Sequence, residues 1–124
     1  MGAALMLRWR SRASVLVVVL VASGCANNNS LYEWGQYEAV VYSSYAAPGK
    51  VPPEEQLSLL EKDIDKAGAE GKRVAPGVRA YRGFLLFQLG RLDEARTKLL
   101  AEKSAFPESA VFVDRLLLNM AKAP

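Results

Sequence analysis

The sequence predicts an all-α domain of about five helices, packed as antiparallel hairpins behind an N-terminal leader that is cut away. Three observations predict it. Five stretches between residues 31 and 121 carry apolar residues at helical spacing, separated by Pro- and Gly-rich breaks. No stretch alternates apolar and polar residues as a half-buried strand does. A ten-residue uncharged run, Ala13–Ala22, follows three arginines. It is shorter than the about 20 residues a membrane-crossing helix needs, and it fits the apolar segment of a secretion signal.

The leader comes first. "LRWRSR" supplies Arg8, Arg10 and Arg12, "ASVLVVVLVA" the apolar run, and Ser23 and Gly24 the small residues before Cys25. "VASGC" resembles the bacterial lipobox, departing from it only at Ala22, where leucine is commonest. That resemblance implies three steps: diacylglyceryl transfer to the Cys25 thiol, cleavage between Gly24 and Cys25, and acylation of the new amine. A thiolate is the nucleophile such chemistry needs. Several acyl chains, each methylene contributing about 0.8 kcal/mol on burial, hold a protein on a bilayer stably where one chain does not. Ala26, in place of aspartate after the cysteine, resembles the pattern sent to the outer membrane. The division expected is therefore 1–24 signal peptide, 25–30 lipidated tether and 31–121 helical domain. The polar tether "ANNNS" keeps the body within roughly 15 Å of the membrane if flexible.

The first helix is expected over Leu31–Tyr45, with Trp34, Tyr37, Val41 and Tyr45 on one stripe. "AAPGKVPP" breaks it. The second, Pro53–Ala67, opens on proline and two glutamates, which suit the first turn and the positive end of the helix dipole. Leu57, Leu60, Ile64 and Ala67 form its face. The third, Gly77–Leu89, places Val78, Tyr81, Leu85 and Leu89 together, widened by Phe84 and Phe87. Gly90 turns the chain. The fourth, Leu92–Ser104, puts Leu92, Ala95, Leu99 and Lys103 in register, with Asp93 or the preceding turn as cap. The fifth, Ser109–Ala121, takes Ser109 as N-cap and Val113, Leu116, Leu117 and Met120 as its apolar face.

Composition removes several functions. The chain carries 16 Lys+Arg against 13 Asp+Glu, and the three leader arginines account for the excess. A balanced body offers no basic face for nucleic acid. With no histidine and one cysteine there is no internal disulfide, no Cys/His metal site and no histidine-dependent triad. No Gly-rich phosphate loop is present. The carboxylate pairs Glu54/Glu55, Asp63/Asp65 and Asp93/Glu94 read as solvated helix faces. No catalytic residue, cofactor or metal is expected, and the chain is not expected to be an enzyme.

Residues 76–109 resemble a tetratricopeptide repeat. With Pro107 at its terminal proline, Gly83 falls where the two helices approach closely, Ala95 at the small position and Leu99 at the large apolar one. Arg79 and Glu102 depart from the pattern, standing where tryptophan and alanine are common. Residues 31–67 read as a first repeat of the same design, and the fifth helix as a cap. The stretches "LYEWGQYEAVVYSSY", "PEEQLSLLEKDIDKA", "GKRVAPGVRAYRGFLLFQLGRLDEA" and "AEKSAFPESAVFVDRLL" together resemble a family of small proteobacterial lipoproteins known as a domain of unknown function. Its members tend to be encoded beside a lipoprotein like the curli secretion channel subunit. The resemblance implies an outer-membrane complex with such a channel-like partner, the body facing the periplasm, and no reaction.

Five aromatics crowd residues 32–45. Trp34, Tyr37 and Tyr45 fit the buried stripe; Tyr32 and Tyr42 do not. Those two either cover the edge of the core or line a partner surface, where Tyr and Trp dominate binding. Phe112 and Leu118 lie off the apolar face of the last helix, with no sixth helix to cover them. Tyr32, Tyr42, Phe112 and Leu118 are thus the candidate partner-binding residues of a non-catalytic interaction module. The alternative is a lipoprotein that binds peptidoglycan or regulates a wall enzyme. Cys25→Ser is expected to leave the leader attached and the chain out of the outer membrane, read by immunoblot of fractionated envelopes. A serine variant trimmed at the same bond and retained there would overturn the lipobox assignment.

Overall fold

The computed structural model describes residues 30–122. The signal peptide, Gly24, Cys25 and tether residues 25–29 lie outside them. Five α-helices and one short strand pair follow in order: β1 Tyr32–Glu33, α1 Tyr37–Ala46, α2 Pro53–Ala69, β2 Arg73–Val74, α3 Val78–Gln88, α4 Leu92–Ala105 and α5 Ala110–Lys122. A 3₁₀ turn, Pro107–Ser109, joins the last two helices. The fold is all-α, as expected. Among the described residues no helix is long and apolar enough to cross a membrane.

The closest backbone packing joins α3 to α4. Gly83 makes it possible. A Cβ there would stand 2.8 Å from Leu99 Cγ, too near, and a tight 3.1 Å from the Ala95 carbonyl oxygen. Ala95 and Leu99 are buried, so the three positions singled out in the repeat pattern meet in space. The turn expected at Gly90 forms. Arg91 N–H donates to Leu86 O at 2.9 Å and Gly90 N–H to Phe87 O at 3.0 Å, which satisfies the last carbonyls of α3. Leu57, Leu60 and Ala67 of α2, with Val40, Leu85 and Leu86, fill the interior. Val113 of α5 seals a second cluster with Ala80 and Leu99.

The expected fourth stripe needs two corrections, the first being that Leu92 is 51 % exposed. Lys103 is not in the core; it donates to Asp114 at 2.7 and 2.8 Å and pins α4 to α5 on the surface. The stripe runs instead through Ala95, Leu99, Glu102 and Phe106, all buried. Glu102 is only 2 % exposed. Its Oε1 accepts the Gly77 N–H at 2.6 Å and so caps the start of α3 from the end of α4. The same residue's backbone carbonyl accepts the Phe106 N–H at 2.8 Å and closes α4. Burial, and then the Glu102 carboxylate, raise the Tyr37 hydroxyl above its ordinary pKa.

The starts of the first and fifth helices also differ from expectation, and the fourth starts at Leu92 as expected but without the Asp93 cap. The first helix begins at Tyr37, not Leu31, because residues 32–33 pair in parallel with 73–74. Asp63, expected on a solvated face, accepts the Gln36 N–H at 2.7 Å and holds the turn that opens α1. A Cβ at Gly35 would overlap the Asp63 carboxyl group. This late start rotates the stripe, so Val40 is buried instead of Val41, and Tyr45 faces out. Asp93 does not cap α4; no side chain does, and Arg91 pairs with Glu94. Ser109 is not an N-cap either, since its hydroxyl donates back to Phe106 O at 2.7 Å inside the 3₁₀ turn. The first repeat expected over 31–67 therefore lacks the design of the second. Its leading segment is a strand and turn, and α1 lacks the close backbone approach to α2 that α4 makes to α3.

Ion pairs pin β1. Lys66 Nζ lies 3.0 Å from Glu33 Oε1, and Lys72 Nζ lies 3.4 Å from Glu33 Oε2 and 2.8 Å from Glu70 Oε2. The Lys66 hydrogen bond chiefly holds the Glu33 carboxyl below its usual pKa. A carboxylate depressed in the folded state stabilises above its unfolded pKa, and that support fades as pH falls through the lower, folded value. The Glu33 carboxyl should therefore titrate by NMR below the usual glutamate value of about 4.3, and the Lys66→Met/Lys72→Met double variant should bring it back up. Two glycine substitutions should shift stability in opposite directions. Gly83→Val is expected to lose about 1–3 kcal/mol in chemical denaturation through overpacking. Gly68→Ala, with open space around its Cβ, is expected to gain about 0.5 kcal/mol from helix propensity.

Candidate interaction surface

Helix α5 packs one apolar face and leaves other apolar residues exposed. Val113 is fully buried, and Leu116, Leu117 and Met120 pack half-buried around it. The opposite side carries Val111, Arg115, Leu118 and Lys122, all exposed and spaced i, i+4, i+7 and i+11. Leu118 is 61 % exposed and Phe112 58 %. Phe112 shares its side of the helix with Leu116 and Asn119. Those two line an apolar groove of about 180 Å³ with Phe84 and Phe87 of α3 and Leu99 of α4. The outer half of α5 is thus an apolar row with two cations, beside a shallow apolar groove.

A second exposed face lies on α1. Val40 faces the core, and Glu38, Ala39, Tyr42, Tyr45 and Ala46 face out. Tyr42 is 74 % and Tyr45 82 % exposed. Glu38 is the one charge among them.

Tyr32 sits differently. It is half-buried on β1, with its ring 6.1 Å from that of Phe106 and 6.5 Å from that of Trp34, centroid to centroid. The Arg73 guanidinium lies over it at 5.5 Å. It belongs to a run of touching rings, Phe106–Tyr32–Trp34–Tyr37–Tyr81–Phe84, that crosses from the end of α4 to the middle of α3. The four sequence-derived candidates therefore do not converge. Phe112 and Leu118 share α5, Tyr42 stands on α1, and Tyr32 is packed among aromatics. Val111 and Tyr45 were not among them. Val111 lies seven residues before Leu118, a spacing visible in the sequence. Tyr45 is hidden from sequence reasoning because the turn at Gly35 sets the register of α1.

Residues 31–116 match the model of a family described as a domain of unknown function (DUF4810). The chain belongs to that family. The DUF4810 domain spans β1 to the middle of α5, so it holds Tyr32, Tyr42 and Phe112 and stops two residues short of Leu118. No curated protein and no solved structure matches the chain. Among the described residues of this DUF4810 member, no three or more His, Cys, Asp or Glu side chains gather in a way that could hold a metal ion.

Proposed function

We propose that this chain is an outer-membrane lipoprotein, anchored by acylated Cys25, whose DUF4810 domain faces the periplasm as a non-catalytic interaction module. Its partner is an envelope protein, taken here as the channel-like lipoprotein that the family resemblance points to. One observation carries the reading: α5 presents Val111 and Leu118 to solvent on the side opposite its packed face, and Phe112 on its flank. A terminal helix of a stacked helical array needs a polar outer face to stay alone in water. On α5 that face is only partly polar, Val111 and Leu118 alternating with Arg115 and Lys122, and exposed apolar side chains grouped in this way mark contact surfaces. The order of charge, apolar run, small residues and cysteine in the leader supports the anchor, and the match over residues 31–116 supports kinship with the resembled family.

The test is a Phe112→Asp/Leu118→Asp double variant. Both side chains are exposed, so Tm should change by less than about 4 °C. Co-purification of the tagged channel-like lipoprotein from solubilised envelopes should fall at least about tenfold, the scale of losing a binding hot spot. Unchanged co-purification would move the contact away from α5. Capture by purified sacculi, with no protein partner, would favour the wall-binding alternative.

A further inference from the structure

A cleft of about 220 Å³ opens between the end of α1, the connection that follows it, the start of α2 and one side of α3. Its lining carries no charged side chain. In its wall, Ser44 Oγ lies 3.1 Å from Val40 O, 3.0 Å from Gln56 Oε1 and 2.7 Å from Tyr81 Oη, while Tyr81 Oη lies 2.9 Å from Gln56 Oε1. Two hydroxyl protons thus serve four close contacts. Gln56, buried at 7 % exposure, gives one of its two amide N–H groups to Val51 O at 2.8 Å. The two hydroxyl oxygens have lone pairs left to offer, which an occupant that donates hydrogen bonds can use.

Chemistry narrows the occupant further. An ion would lose its hydration here with no opposite charge in the lining. A purely apolar group would strip water from the Ser44 and Tyr81 oxygens and give nothing back. Phe84 stands 40 % exposed in the lining, its ring 6.0 Å from that of Tyr81 at 33° between planes. The two rings form an apolar wall beside the acceptor oxygens. The volume is below the roughly 300–1,000 Å³ of sites for drug-sized ligands and suits a single ring. A pyranose combines hydroxyl donors with a face of C–H groups, and it carries no charge. We propose that this cleft is a subsite for one neutral sugar ring. It shares Phe84 with the groove beside α5 but no residue with the outer face of that helix, and stands whether or not that face binds a protein.

The full chain, in a detergent without a sugar headgroup, is titrated with N-acetylglucosamine and with glucose and followed by saturation-transfer NMR. At least one of the two should bind with a dissociation constant on the order of 1 mM, the scale for a ligand of about fifteen heavy atoms. Glucuronate, of the same size but anionic, should bind at least tenfold more weakly. Tyr81→Phe keeps the ring and removes one acceptor oxygen, and Phe84→Ala removes half of the apolar wall. Each should weaken binding at least tenfold while the thermal transition stays cooperative. Tighter binding of chitotetraose than of the monomer would identify a glycan strand as the source; equal binding would identify a free sugar. No transfer from either neutral sugar at about 20 mM, twenty times the expected constant, overturns the proposal. So does equal binding by glucuronate, or by both variants.

Discussion

The structure depends on one buried carboxylate that does two jobs. Glu102 closes α4 through its backbone carbonyl and opens α3 through its side chain. The first N–H groups of a helix have no partner within it, and leaving one buried and unpaired costs about 1–3 kcal/mol. Gly77, in a left-handed conformation at φ +91°, offers its N–H to Glu102. The bond fixes where α3 begins relative to where α4 ends. Gly83 then lets the two helices meet without a side chain between them. The other elements are laid against this pair: α2 and α1 on one side, α5 on the other.

Glu102 also shows where a sequence pattern stops being informative. In the repeat alignment it stands where alanine is common, and by charge alone it belongs on a wet surface. Its position says otherwise. Residues 95, 99, 102 and 106 continue one helical stripe, and three of them are apolar. The stripe was legible; the assignment of its third member to the core was not, because the partner of its Oε1 is a backbone N–H 25 residues away, and its buried Oε2 has none.

The same distinction runs through the rest of the molecule. Helices α2 to α5 follow from periodicity, Pro53 and Gly90, all of them local signals. The opening of α1 does not, because its determinants come from elsewhere: Asp63 from α2, and a strand partner at residues 73–74. That shift of register is why Val40 replaces Val41 in the core and why Tyr45 is exposed. On the candidate surface, Phe112 and Leu118 were readable from the helical wheel of α5, where packing and register agree. The neutral cleft was not readable at all. It joins Ser44, Gln56 and Tyr81 from three different helices, and no spacing within one segment announces such a meeting.

The strand pair at the front of the domain has a mechanical consequence. Any pull arriving from the N-terminal side passes through β1 before it reaches a helix. There it meets two long backbone hydrogen bonds, Arg73 N–H to Leu31 O at 3.3 Å and Ala75 N–H to Glu33 O at 3.4 Å, and the lysines around Glu33. The α3–α4 pair, locked at Gly83 and Glu102, lies off that line of force. Under load β1 is the element expected to separate first, lifting Tyr32 from Phe106.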